Sequence, residues 1–290
     1  MSNEMDVNTM TTNVHELELP GCASEPLMAY LKALGVFRLV AEQKDPAARG
    51  CWRYDTTFVL RSSLNQEALL GFFLEEYQPT PVVAPWNGGS GFYPRDDQVA
   101  VNTLRSLVDN RLKPYQDAIL AVMQIRVMDE LLRQFEAAEE VEDLEARKRA
   151  RSEANKARSQ AKDTILAGCR SWLPEPAVSW LDAAYVLTTD GPRYPPLLGT
   201  GGNDGRLEFT NNFMQNILLT LSTRDSGQGQ SRRRGRSLSD PREWLSAALF
   251  EDALPALTNG AIGQFNPGGV SGPNATTGFE GDSLTNPWDY

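Results

Sequence analysis

The chain has a single histidine, His15, and three cysteines, Cys22, Cys51 and Cys169, among 290 residues. One histidine near the N-terminus nearly excludes Ser-His-Asp, Cys-His and multi-histidine metal chemistry unless a partner chain supplies residues. The cysteines are odd in number, far apart and free of any Cys-x-x-Cys pairing, which suits a reducing compartment and free, buried thiols. No window approaches the roughly 18 uninterrupted apolar residues of a membrane span, and the polar Met1–Asn13 stretch reads as neither signal peptide nor anchor. A cytoplasmic, membrane-free location is expected. A surplus of positive charge is also missing: 28 Lys and Arg against 38 Asp and Glu give a net charge of −10. A free-standing general DNA binder draws its affinity from cations at phosphates, so any nucleic-acid contact here must be local.

What is present is an ordinary folded composition, 41% hydrophobic and 23% charged, enough to build a core without disulfides or metals. Residues 1–13 read as a disordered tail. Residues 14–112 read as a mixed α/β N-terminal module, with a strand over Val14–Leu19, a helix over Glu25–Gln43, a strand over Trp52–Leu60 and a helix over Gln66–Tyr77. In the first helix Leu27, Tyr30, Leu31, Leu34, Phe37 and Leu39 recur at helical spacing. Asp96 and Asp97 are placed to cap a helix running to about Leu112.

Residues 113–169 form a long charged segment without internal Gly or Pro after Pro114, read as one helix with a bend or as a helical hairpin. Its first half carries Ala118, Ala121, Ile125, Met128, Leu132 and Phe135 as a coiled-coil-like seam. Its second half thins to Ala150, Ala154, Ala157 and Ala161. Acidic residues from Glu136 to Glu145 precede basic ones from Arg147 to Lys162, read as a solvated helix with paired charges or as a basic stripe for nucleic acid. Residues 170–222 read as an α/β segment, 223–241 as a basic linker, 242–257 as a helix, and 258–290 as a Gly/Asn/Pro-rich tail. The fold class expected is α+β, predominantly helical, with a few short strands and long Gly-rich loops.

Three loops carry the candidate chemistry. In Trp86-Asn87-Gly88-Gly89-Ser90-Gly91-Phe92 the glycines allow close backbone approach to a groove or phosphate, Asn87 can read a base edge, and Trp86, Phe92 and Tyr93 offer stacking faces. The alternative is a tight turn whose aromatics anchor it to the core. In Gly199 to Arg206, Asn203 and Arg206 form a candidate phosphate clamp, with Thr210 or Asn211 as a helix N-cap. Asn266 to Gly281 repeats the composition. Arg232, Arg233, Arg234 and Arg236 add a basic cluster. The glycine loops match neither the P-loop nor the dinucleotide-binding pattern, and no carboxylate constellation suggests a nuclease. No catalytic residue, metal or cofactor is expected.

Several blocks in order resemble one family: Leu19-Pro20-Gly21-Cys22, Pro26 to Val40, Ala47-Ala48-Arg49-Gly50, Pro85 to Phe92, Leu198 to Gly205, and Asn286-Pro287-Trp288-Asp289. Together they resemble the N-terminal part of the Csx-seventeen family, the large subunit of type I-G (formerly I-U) CRISPR interference complexes. The family's members are longer, so the chain looks truncated relative to them. The resemblance implies a non-catalytic subunit working with a guide RNA, backbone subunits and a guide-processing subunit. It implies help in recognising the flanking motif of target duplex DNA and in holding the opened strands while a helicase-nuclease is recruited in trans. The competing expectation is a helical protein-protein scaffold without DNA contact.

Overall fold

The structure is a computed structural model that describes residues 13–195, 197, 209–221, 240–252, 257–261 and 282–289. Among these residues the protein is predominantly helical α+β, with nine α-helices and seven short strands in small sheets. It divides into two compact units, one built from residues 1–77 with 245–253, the other from 78–244 with 254–290. The stretch 14–112 is thus shared between them, and the glycine-aromatic loop belongs to the second.

The first unit is organised by an antiparallel sheet of β1 (His15–Leu19), β2 (Arg49–Trp52) and β3 (Phe58–Ser62), in the order β1-β3-β2. The strand expected over Trp52–Leu60 is corrected to a hairpin. Asp55 breaks it by accepting from Thr57 N at 3.2 Å, Arg53 N meets Thr57 O at 2.9 Å, and Thr56 takes φ 70°. Such side-chain-to-backbone bonds offer the chain a turn in place of a ladder. In the centre β3 buries Phe58, Val59 and Leu60 together, so it shows no alternation.

Helix α1 (Leu27–Gln43) forms where the spacing places it, but its buried face is Ala29, Ala33, Val36 and Val40, while Leu27, Tyr30 and Leu34 are exposed. The helix is apolar on several sides, and small residues let its backbone approach its neighbours closely. Helix α2 (Gln66–Gly71) is capped by Asn65, which accepts from Ala68 N at 2.9 Å, and continues as a π-turn to Glu76. Gly21 sits where a Cβ would overlap the Ala248 carbonyl oxygen, a close approach only glycine permits.

In the second unit α3 (Val99–Ser106) is shorter than expected. Leu107 turns extended, and a 3-10 turn over Asn110–Leu112 follows, with Asp109 accepting from Arg111 N at 2.9 Å. The charged segment is three helices, α4 (Lys113–Gln124), α5 (Arg126–Glu139) and α6 (Leu144–Trp172). Ile125, extended at ψ 113°, breaks it without Gly or Pro. Residues 140–143 connect α5 to α6, and Asp143 caps α6 through Ala146 N at 2.7 Å. On the α4–α5 seam Ala118, Ile125, Met128 and Phe135 are buried, and the alanine face of α6 packs closely at Ala154.

Beyond α7 (Glu175–Ala184), β4 (Val186–Thr188) and β5 (Gly191–Arg193) form a hairpin, and α8 (Phe209–Leu221) follows. Thr210 and Asn211 lie inside α8 and are buried. Their expected N-cap role is corrected, since the helix already begins at Phe209. Helix α9 (Pro241–Phe250) contributes its first four residues to this unit and the rest to the first.

The Gly/Asn/Pro-rich tail read over 258–290 carries regular structure among its described residues. Its β6 (Thr258–Ala261) pairs antiparallel with β7 (Asp282–Thr285). Asn286 Nδ2 donates to Trp244 O at 2.7 Å, and Trp288 Nε1 donates to Pro241 O at 3.0 Å. Polar Gly- and Asn-rich composition hid the partner because ladder bonds use backbone, which every residue carries.

Candidate nucleic-acid interface

Residues 82–93 have no regular secondary structure, yet almost all are buried, so their backbone groups need partners from elsewhere. Aromatic side chains supply several of them. Tyr115 Oη accepts from Val82 N at 3.0 Å and donates to Val82 O at 2.9 Å. Trp180 Nε1 donates to Val83 O at 2.8 Å, and Tyr93 Oη donates to Pro85 O at 2.8 Å. Trp86 meets Tyr185 edge-to-face at 5.1 Å, as Tyr93 meets Phe135. Burial pushes the phenols of both tyrosines up, that of Tyr185 to about 12.

The expected stacking role is therefore corrected: Trp86, Phe92 and Tyr93 are buried anchors of the loop and present no face to a base. Ser90 is fully buried, and Asn87 Nδ2 is enclosed without an acceptor among the described residues. As placed, Asn87 reaches no base edge. The turn itself is held by Asn87 N to Ala84 O at 3.1 Å and Ser90 N to Asn87 O at 3.4 Å. Asp96, expected as a helix cap, instead accepts from Gly91 N at 3.2 Å and Tyr93 N at 3.3 Å. Gly89 and Gly91 take φ of 125° and 87°, conformations that side-chain-bearing residues resist.

Gly88 serves a different purpose. A Cβ there would overlap both Arg158 Nη1 and Arg95 Nη2, so two guanidinium groups converge on one point above a bare backbone. Arg158 lies over the Tyr93 ring at 5.4 Å and Arg95 over Phe135 at 5.7 Å. One turn further along α6, Lys162 lies over Tyr194 at 5.0 Å. Desolvation, then the like charge of Arg95, holds the Arg158 guanidinium below its usual range; desolvation outweighs Asp163 to do the same for Lys162. Arg158 Nη1 has no acceptor among the described residues, and the Tyr194 hydroxyl is likewise unpartnered. Asp96 is the carboxylate acting on Arg158, and its Oδ2 is occupied by the loop's amides.

The remaining basic residues of α6 divide by partner. Lys148 pairs with Glu145 at 2.8 Å, Arg151 pairs with Glu139, and Arg147 Nε donates to Val141 O at 2.6 Å. Arg147 to Lys162 is therefore not one uniform stripe. Asn203, Arg206, Arg232, Arg233, Arg234 and Arg236 lie outside the described residues.

Arg95 is missed by the sequence reading, which holds Arg158 and Lys162 only as members of the candidate stripe Arg147 to Lys162, without setting them apart from it. A signal existed, since Arg158 and Lys162 stand four and eight positions after the buried Ala154, on the face that the alanines mark as inward.

Among the described residues no group of His, Cys, Asp and Glu could hold a metal ion, and no helix is long and apolar enough to cross a membrane. No protein-family model and no curated protein matches the chain.

Proposed function

We propose that the chain is a non-catalytic, nucleic-acid-contacting component of the large subunit of a type I-G CRISPR interference complex, acting in the cytoplasm. In this reading it helps recognise the flanking motif of target duplex DNA and stabilise the opened strands. A guide RNA carried by backbone and guide-processing subunits reads the sequence, and a helicase-nuclease recruited in trans cuts. The observation that carries the proposal is the convergence of Arg95 and Arg158 on Gly88, since Gly88 belongs to a block that bears the family resemblance. A net charge of −10 limits nucleic-acid contact to such local cationic sites.

The test is co-expression with the backbone and guide-processing partners and a guide RNA, followed by binding of flank-containing duplex across a salt series. Co-purification with bound RNA and salt-sensitive duplex binding are expected, without cleavage by this chain. Stable co-purification with no DNA binding would instead make it a protein-protein scaffold. Metal-dependent cleavage abolished by a single Asp or Glu substitution would reject the non-catalytic role.

A further inference from the structure

Arg158 is in an unfavourable position as the protein stands alone. Its guanidinium is partly withdrawn from water, faces the like charge of Arg95 across the Gly88 backbone, and finds no acceptor for Nη1 among the described residues. Its compensation is the Tyr93 ring beneath it and the charge of Asp96, whose Oδ2 is committed to the loop's amides, and a cation–π contact is weaker than a bonded carboxylate or phosphate partner. Lys162 extends the same face of α6 by one turn, over the Tyr194 ring. Arg95 is exposed and Arg158 and Lys162 are half-buried, so the cluster reaches solvent through Arg95, Lys162 and the rest of the Arg158 guanidinium, while Arg158 Nη1 is itself enclosed. Two converging forks and an ammonium form a donor set suited to a tetrahedral oxyanion.

We propose that Arg95 and Arg158, converging on Gly88, and Lys162, one turn further along α6, form a phosphate-binding site that takes a backbone phosphodiester of nucleic acid. The proposal rests on the nucleic-acid reading above and adds the residues that would make the contact. An anion there neutralises two like charges at once, which recovers what the fold spends in holding them together. Gly88 is required because any side chain would displace both guanidinium groups from their common point. The contact is to phosphate alone, so it is indifferent to base sequence.

The test uses the full 290-residue chain, titrated with inorganic pyrophosphate by calorimetry and with a fluorescent 20-base-pair duplex by anisotropy across a salt series. The variants are Arg95→Gln/Arg158→Gln and Gly88→Ala, with the exposed, Asp129-paired Arg133→Gln as control. The double variant is expected to weaken duplex binding at least about tenfold and to flatten the slope of log affinity against log salt by roughly 0.9, the share of one phosphate. Gly88→Ala, which removes no charge, should weaken both ligands, while Arg133→Gln changes neither.

Melting temperature separates this site from a packing role: if Arg158 only braces Tyr93, the double variant melts lower and binds as wild type, and the proposal fails. Duplex binding with an unchanged salt slope in the double variant overturns the site and leaves the nucleic-acid reading standing. Pyrophosphate binding lost in the variant, without duplex binding by wild type, keeps the anion site and rejects its nucleic-acid ligand. Wild type that binds neither overturns both.

Discussion

The Tyr115 hydroxyl engages both backbone groups of Val82, accepting from its N–H at 3.0 Å and donating to its carbonyl at 2.9 Å. A single phenol thus does for an irregular, buried segment what a neighbouring strand does in a sheet. Tyr115→Phe keeps the ring and its packing but leaves a buried donor and acceptor unmatched, at a cost of about 1–3 kcal/mol. Urea denaturation should show that loss. A change under about 0.5 kcal/mol would mean that the hydroxyl is dispensable to the loop.

Such long-range pairing explains which features were legible in the sequence. The helix at Leu27–Gln43 and the seam through Met128 and Phe135 follow from periodicity, because the spacing is local. Whether Trp86 and Phe92 face in or out is decided by Tyr185, Trp180 and Tyr115, which lie tens to about a hundred residues away, and composition carries no record of that. The pairing of β6 with β7 was hidden for the same reason. Arg158 and Lys162 looked like ordinary members of a charged run because charge alone does not give their direction; the alanines on the same face do.

Gly91 holds φ at 87°, and a Cβ there would lie 3.1 Å from Asn211 Oδ1 and from Val101 Cγ2. Gly91→Ala combines backbone strain with these contacts and a third, to Asp97 O at 3.3 Å, and should destabilise the protein by about 1–3 kcal/mol. Thermal melting checks this, and an unchanged midpoint would show that the turn adopts another conformation at little cost.

Asp45 provides a pH-dependent test in the first unit. Its carboxylate accepts from Ser63 N at 2.7 Å and Ala47 N at 2.9 Å, and these bonds hold its pKa below the usual carboxylate range, with burial opposing them. A depressed folded pKa means stability that is fully present above the unfolded value and lost as pH falls through the folded one. Asp45→Ala should therefore cost about 1 kcal/mol near neutrality, an amount kept small by solvent exposure. The difference from wild type should shrink as pH drops below about 4. A gap that stays constant into acid would remove the carboxylate as its source.

The three free cysteines differ in access: Cys51 is exposed, whereas Cys22 and Cys169 are buried. This corrects the expectation of uniformly buried thiols. Burial also pushes the Cys169 thiol up to about 12, which leaves little thiolate to react. A thiol-reactive dye should modify one cysteine per native chain and all three after denaturation, with Cys51→Ser abolishing the native signal. Fast labelling of a second thiol would place Cys22 or Cys169 nearer the surface than the fold allows.

Asn87 separates a phosphate-binding loop from a base-reading one. Its Nδ2 is enclosed and has no acceptor among the described residues, so the amide cannot pair with a base while the loop keeps this shape. Asn87→Ala removes a buried donor without removing a bond from that nitrogen, and it should leave stability unchanged or slightly raised. In the assembled complex it should leave discrimination between flank-containing and scrambled duplex intact, while Arg95→Gln/Arg158→Gln weakens both duplexes alike. Competition anisotropy on the two duplexes measures this. A selective loss of about 1–3 kcal/mol on the flank-containing duplex with Asn87→Ala would show that the loop opens on DNA to present Asn87, and the enclosed arrangement would then describe only the unbound protein.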